Sequence, residues 1–276
     1  MNLIFYNYFH NGDIHYTREF IKDIISKTNF DNYFFAHVNK NGLLKDIKIE
    51  EIDFNLLGDH NVLNGLDNFT NDNGDICINT WIGRFTRYGI NINSNYKLYE
   101  DIYKFLNIPI GEKNSYIPTI NFDYIDKDKI DSFFINKNKK ILFCNGKICS
   151  GQSTTESFDP IIIQLSEIFP HFDFILTDNT NRLNRNNIFY TNDIIGLDNN
   201  DLNEISYLST FCDVIIGKES GPFAFCTIKD NLMNENKTFI NFCDRSDWVW
   251  FPYGYCKYKW SNNYNSMYET IKKIIE

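Results

Sequence analysis

The stretch Phe211-Cys-Asp-Val-Ile-Ile-Gly-Lys-Glu-Ser-Gly-Pro-Phe-Ala-Phe-Cys226 decides how this chain is read. The apolar run 214–216 has the character of a buried parallel strand and stops at Gly217. A new apolar segment begins directly after Ser220-Gly221-Pro222. Ser is a preferred helix N-cap, and Pro is favoured in the first turn, where its missing N–H has no partner to lose. The pattern predicts a helix N-terminus, with free backbone N–H groups and a partial positive charge, at the carboxyl end of a parallel strand. Open α/β sheets place phosphorylated ligands there. An ordinary strand-to-helix turn has the same local chemistry, so the surroundings must add to it.

Working outward, strands and helices alternate. Residues 202–210 read as a helix between strands 188–190 and 213–216, and 238–242 as a further strand. Upstream, 140–144 is a strand, 145–157 a polar loop, and 160–168 a helix with Asp159 as N-cap ahead of Pro160; 172–176 is the next strand. The same order occurs once before. Residues 2–6 read as a strand and 9–15 as a loop. Residues 17–26 read as an amphipathic helix whose Phe20, Ile21, Ile24 and Ile25 share a face. Strands follow at 33–38 and 76–81, and a helix at 98–106 ends before Pro109. Residues 124–140 are highly charged, as in a solvated helix or connector. The alternation predicts an α/β fold with doubly wound parallel sheets. Its restart near Lys140 predicts two Rossmann-like domains facing a cleft, 1–130 and 131–276, with a terminal helix from 264 crossing back.

Composition narrows the function. The 276 residues are 43% hydrophobic and 17% aromatic, which describes a globular protein with ample core. A net charge of −9 argues against nucleic acid as a partner, since such binders carry a basic face. Seven Cys, with no CxxC pair and no Cys/His cluster at zinc spacing, read as buried thiols of a reducing compartment. No apolar stretch approaches the length of a membrane span. The expectation is a cytoplasmic protein with at most peripheral contact with the inner face of the membrane. Asn abounds beside Ile, Lys and Tyr, as an AT-rich genome would produce, so individual Asn residues say little.

Two places in the chain resemble a known family. Gly12-Asp13 follows the first strand, and Gly196-Leu…Asp201-Leu-Asn-Glu-Ile-Ser-Tyr-Leu…Cys212-Asp-Val-Ile-Ile-Gly-Lys-Glu-Ser-Gly-Pro222 ends in an acidic-Ser-Gly-Pro turn. Both resemble the GT-B superfamily of glycosyltransferases, and within it the heptosyltransferase-like enzymes of bacterial surface-glycan synthesis. Phe223-Ala-Phe225 stands where that family usually has a His.

The resemblance implies an acceptor-side N-terminal domain and a nucleotide-sugar-binding C-terminal domain. It implies inverting transfer to a hydroxyl of a glycan or lipid-linked glycan, with no metal and no cofactor beyond the nucleotide-sugar donor. On this reading Ser220 and Gly221 open the anion site, and Glu219 grips ribose hydroxyls. Lys147, with Ser150, Gly151, Gln152 and Ser153 of the same loop, meets the diphosphate, while Lys218 is either a second phosphate contact or a side chain in solvent. Asp13 is the expected general base, with His10 and His15 flanking it. Arg18, Trp81, Arg84 and Arg87 would receive a sugar or acidic acceptor. Other readings stay open: Asn-Gly-Asp is also turn chemistry, Lys147 a plain loop lysine and Trp81 a half-buried packing residue. A nucleotide-sugar epimerase or hydrolase, or a non-catalytic nucleotide- or glycan-binding module, could use the same scaffold.

Overall fold

A computed structural model describes residues 1–38, 42–63, 65–81, 92–148, 153–196, 201–244 and 251–276. They fall into two compact units, one ending at Asn121 and the other beginning at Phe122, so the boundary lies a little ahead of the expected 130. Each unit is α/β.

The first unit contains β1 (Leu3–Tyr6), α1 (Asn11–Lys27), β2 (Tyr33–His37), β3 (Glu50–Asp53), the short helix α2 (His60–Leu63), β4 (Phe69–Thr70), β5 (Ile76–Asn79) and α3 (Ile92–Phe105). Its sheet runs β3-β2-β1-β5-β4, parallel except for the two-residue edge strand β4. β1 is buried along its whole length, as the centre of a parallel sheet requires. On one side, Phe20 of α1 lies between Tyr99 of α3, at 3.5 Å and 5°, and Tyr116, at 4.0 Å and 12°. This stack does much of the work of an aliphatic core.

The second unit contains α4 (Lys127–Phe133), β6 (Lys139–Cys144), α5 (Asp159–Ile168), β7 (Phe172–Leu176), β8 (Ile188–Tyr190), α6 (Thr191–Ile195), α7 (Leu202–Ser209), β9 (Val214–Gly217), α8 (Gly221–Phe225), α9 (Lys229–Leu232), β10 (Thr238–Phe242), β11 (Lys257–Ser261) and α10 (Met267–Ile275). Its six strands run β11-β10-β9-β6-β7-β8, all parallel, with β9 and β6 at the centre. Alternate residues of these strands (Ile141, Phe143, Phe174, Ile216, Ile240, Phe242) form one core with Phe158, Ile162 and Leu165 of the α5 region. The terminal helix α10 adds Met267, Ile271 and Ile275 to that same core, so its buried face is matched to the second sheet and to α5.

Several elements differ from the sequence expectation. α1 begins at Asn11, so Gly12 and Asp13 form its first turn instead of a loop. The N-cap of α5 is Phe158, and Asp159 is its first helical residue, with its N–H bound to Ser157 Oγ. Strands β3, β4 and β11 join the sheets at their edges, where the strand need not be apolar on both faces.

Candidate functional site

In the first unit, two buried asparagines shape the carboxyl ends of the central strands. Asn7, directly after β1, accepts the N–H of Phe9 on Oδ1 at 2.9 Å. Asn79, the last residue of β5, accepts the N–H of Trp81 at 2.9 Å, and its amide donates to the carbonyl of Leu66 at 3.1 Å. Such side-chain turns end a strand without leaving an N–H unsatisfied. Because β1 and β5 are neighbours, the turns lie side by side and the Phe9 and Trp81 rings pack at 4.2 Å. Tyr8 stacks on His60 at 4.3 Å and 10°.

His10 is the N-cap of α1, in extended conformation and with no capping hydrogen bond from its side chain. Burial lowers its pKa from the usual 6.5, so it is neutral at pH 7 and able to accept a proton. Asp13 is half-buried in the first turn of α1, where the helix dipole favours a carboxylate. It lies within electrostatic reach of Tyr99. Burial holds the Tyr99 hydroxyl well above its ordinary pKa; the bond to Thr17 opposes this and the Asp13 charge adds to it. The expected base therefore stands at a helix terminus at the carboxyl end of the sheet.

His15 and Arg18 lie elsewhere, inside the unit. Arg18 Nε donates to His15 Nδ1 at 3.3 Å, and its guanidinium binds the Asp46 carboxylate and the Leu43 carbonyl. The Arg18 and Asp46 side chains are both 0% exposed. Arg18 anchors the segment after β2 under α1, an interior role that leaves it no surface toward an acceptor. Arg84 and Arg87 lie outside the described residues, as do Ser150, Gly151 and Gln152.

In the second unit, β9 ends at Gly217 beside β6, in register with Cys144. A Cβ at Gly217 would stand 2.6 Å from the Phe223 ring and 3.0 Å from Cys144 Cβ, so only glycine lets α8 fold back this closely. Ser220 caps α8 as expected, accepting the N–H of Phe223 at 3.5 Å, with Pro222 in the first turn. Glu219 is buried, and Gly221 half-buried at the helix start.

Described residues on the segment after β6 contact the ends of neighbouring strands. Asn145 pairs with Asp178 beyond β7, accepting its N–H at 2.9 Å. Lys147 is exposed. Farther on, Ser153 Oγ donates to the carbonyl of Phe242 at the end of β10, at 2.7 Å. In the sheet, β9 lies between β6 and β10. Glu156 then accepts a hydrogen bond from Lys218 on its carbonyl oxygen. Lys218 is thus buried, where one sequence reading had placed it in solvent. Its stem passes under the loop, with Nζ 5.0 Å from the Phe158 ring.

Two further polar residues at this end escaped the sequence reading. The Tyr264 hydroxyl donates to Asp244 Oδ1 at 2.7 Å and lies 3.4 Å from Ser153 Oγ. An Asp two residues past an apolar strand is the only sequence signal for them, and it is a weak one. Among the described residues, no group of three His, Cys, Asp or Glu gathers to hold a metal ion, and no helix is long and apolar enough to cross a membrane.

Neither known family patterns nor curated proteins match this chain in sequence. Solved structures do. A family 9 glycosyl transferase from Veillonella parvula matches over 100% of this chain and 90% of its own, at 11% identity and a TM-score of 0.54. The ADP-heptose lipopolysaccharide heptosyltransferase II of E. coli matches over 100% and 98%, at 11% identity and TM-score 0.55. E. coli heptosyltransferase WaaC, in a structure with ADP, matches over 100% and 99%, at 8% identity and TM-score 0.55. At such identities the likeness concerns the fold. The chain has the GT-B, heptosyltransferase-like fold: two α/β domains built on parallel sheets.

Proposed function

We propose that this chain is a glycosyltransferase that moves a sugar from a nucleotide-sugar to a hydroxyl of a glycan or lipid-linked glycan, with inversion and without a metal. The observation that carries the reading is the turn after β9. Gly217 permits a close approach and Ser220 caps α8 at the carboxyl end of a central parallel strand, and Ser153 bonds at the end of the neighbouring strand β10. Phosphorylated ligands bind at such a place in this architecture. The E. coli neighbour of the same fold was solved with ADP.

In this reading the second unit holds the donor. Ser220 and Gly221 at the start of α8 and the charge of Lys147, with Ser150, Gly151, Gln152 and Ser153 of its loop, meet the diphosphate. Glu219 accepts hydrogen bonds from the ribose diol. The first unit supplies the base. The Asp13 carboxylate takes the acceptor hydroxyl proton as that oxygen bonds to the anomeric carbon, and the nucleoside diphosphate leaves with the electron pair of the broken bond. His10 is the neighbouring group able to take that proton; His15 is enclosed. Trp81, beside Phe9, offers an aromatic face to the acceptor. The protein then acts in the cytoplasm, at or near the membrane where lipid-linked glycans are built.

The test is nucleoside diphosphate release from a panel of nucleotide-sugars, with and without acceptor glycans. Release that depends on acceptor supports transfer. Release without acceptor replaces this reading with hydrolysis or epimerisation, and donor binding without turnover over the whole panel replaces it with a binding module.

A further inference from the structure

Three lysines of the second unit are buried, at 4%, 3% and 4% exposure: Lys140, Lys237 and Lys218. An ammonium has three N–H donors, and in a dry site each unmatched one carries a desolvation penalty. Lys140 meets that demand in full, donating to the Asn136 carbonyl at 2.8 Å, Asn136 Oδ1 at 2.6 Å and the Asn138 carbonyl at 2.6 Å. Lys237 donates to the carbonyls of Ser209 and Thr210, at 2.7 and 2.9 Å, and so caps the negative end of α7. Both are structural clips, and both sit at the amino end of the sheet: Lys140 near the start of β6, Lys237 one residue before β10.

Lys218 differs on both counts. It follows the last residue of β9, at the carboxyl end. Among the described residues its Nζ donates to a single acceptor, the Glu156 carbonyl, with only the Phe158 ring as further company. No described carboxylate reaches ion-pair distance, although the charges of Glu156 and Asp159 act on it from farther off. Burial lowers its pKa, against the attraction of those two carboxylates. A buried cation that, among the described residues, is short of acceptors, one residue beyond the end of a central parallel strand, is incomplete without an anion.

We propose that Lys218 is the ammonium that meets the diphosphate of the donor and neutralises it as it leaves. The assignment rests on the donor-site reading above and deepens it, because it gives the central charge to a buried residue and leaves exposed Lys147 a peripheral one. A phosphate oxygen supplies the acceptors that Lys218 lacks, and the aromatic and carbonyl surroundings keep its charge unscreened by water.

The test titrates the full-length chain with ADP, UDP, GDP and CDP and with the matching nucleosides, by calorimetry. In the wild type, at least one diphosphate should bind about tenfold or more tightly than its nucleoside. Lys218→Met should remove most of that difference and leave nucleoside affinity nearly unchanged, whereas Lys218→Arg, which keeps the charge, should retain it in large part. A folded Lys218→Met with wild-type diphosphate affinity would overturn the assignment while leaving the donor reading standing. A wild type that binds no diphosphate and no nucleotide-sugar overturns both. Should Lys218→Met fail to fold, Lys218→Gln, which also removes the charge, is titrated in the same way: loss of the diphosphate preference supports the proposal, and a wild-type preference refutes it.

Discussion

The carboxyl ends of the two sheets are built from opposite materials. Past β1 and β5 the chain presents Asn7, Tyr8, Phe9, His10, Asp13 and Trp81: aromatic faces, a neutral imidazole and a carboxylate. Past β6, β9 and β10 it presents Lys147, Ser153, Lys218 and Ser220 around a turn that only glycine permits, with Glu219 and Asp244 the acidic members. The first set can take a proton and pack against a ring; the second can hold an anion. Under the proposed function, the two units would divide the two demands of group transfer, base catalysis and leaving-group stabilisation.

Changes on either side should separate these roles. The largest effect is expected for Asp13→Asn, which keeps the size and hydrogen bonding of the side chain but removes proton acceptance. Turnover should fall about 10²–10⁴-fold. A variant with near-normal turnover would pass the role to His10. Next comes Arg18→Met. It strands the Asp46 carboxylate in the interior with, among the described residues, Lys22 at 3.4 Å and the Asn121 N–H at 3.3 Å, and urea unfolding should show a loss of about 3–5 kcal/mol. The paired change Arg18→Met with Asp46→Leu should recover part of it, since both charges are then gone. If the single change is silent, Arg18 is free for an acceptor after all.

Gly217→Ala should be milder on stability, roughly 1–3 kcal/mol, because Phe223 must move to admit the methyl group. Diphosphate affinity should drop with it. An intact affinity would show that the turn after β9 is not where the ligand binds.

Acid should loosen the first unit. Burial pushes the Glu51 pKa up, but the bonds from His37 at 2.7 Å and from the N–H groups of Leu44 and Leu43 outweigh this, and the net shift is downward from 4.5. A carboxylate lowered by folding contributes stability above its unfolded pKa and loses it as pH falls through the folded value. Melting temperature should therefore decline below about pH 4.5, and Glu51→Gln should flatten that decline. The smallest effect is expected at exposed Lys147: Lys147→Ala should weaken diphosphate binding by no more than about 1 kcal/mol at low salt, and less at high salt. A loss of 100-fold there would make Lys147, not Lys218, the central cation.

Much of the scaffold is legible in the sequence because buried parallel strands are apolar throughout and stop at turn residues. Phe172–Leu176, Ile188–Tyr190 and Thr238–Phe242 match their expected ranges residue for residue. The Ser220 cap was equally readable, since Ser-Gly-Pro ahead of an apolar segment has a local mechanism. Edge strands were not: Glu50–Asp53 is acidic except at Ile52, and Lys257–Ser261 alternates charge with bulk, as half-exposed edges do. Asn11-Gly-Asp13 misled for a local reason, because turn chemistry and a helix's first turn favour the same residues. The buried cations were beyond reach for a different reason. Arg18 is balanced by Asp46, 28 residues on, and Lys218 donates to the backbone carbonyl of Glu156, 62 residues back, and nothing local to a charged residue reveals so distant a partner.

The division of labour itself is tested most directly by the donor affinity of Asp13→Asn. Calorimetric titration with the nucleotide-sugar that the wild type consumes should give the same dissociation constant for variant and wild type, within about twofold, while turnover is lost. A donor affinity that falls together with turnover would place Asp13 among the donor contacts and contradict the separation of base and anion site between the two units.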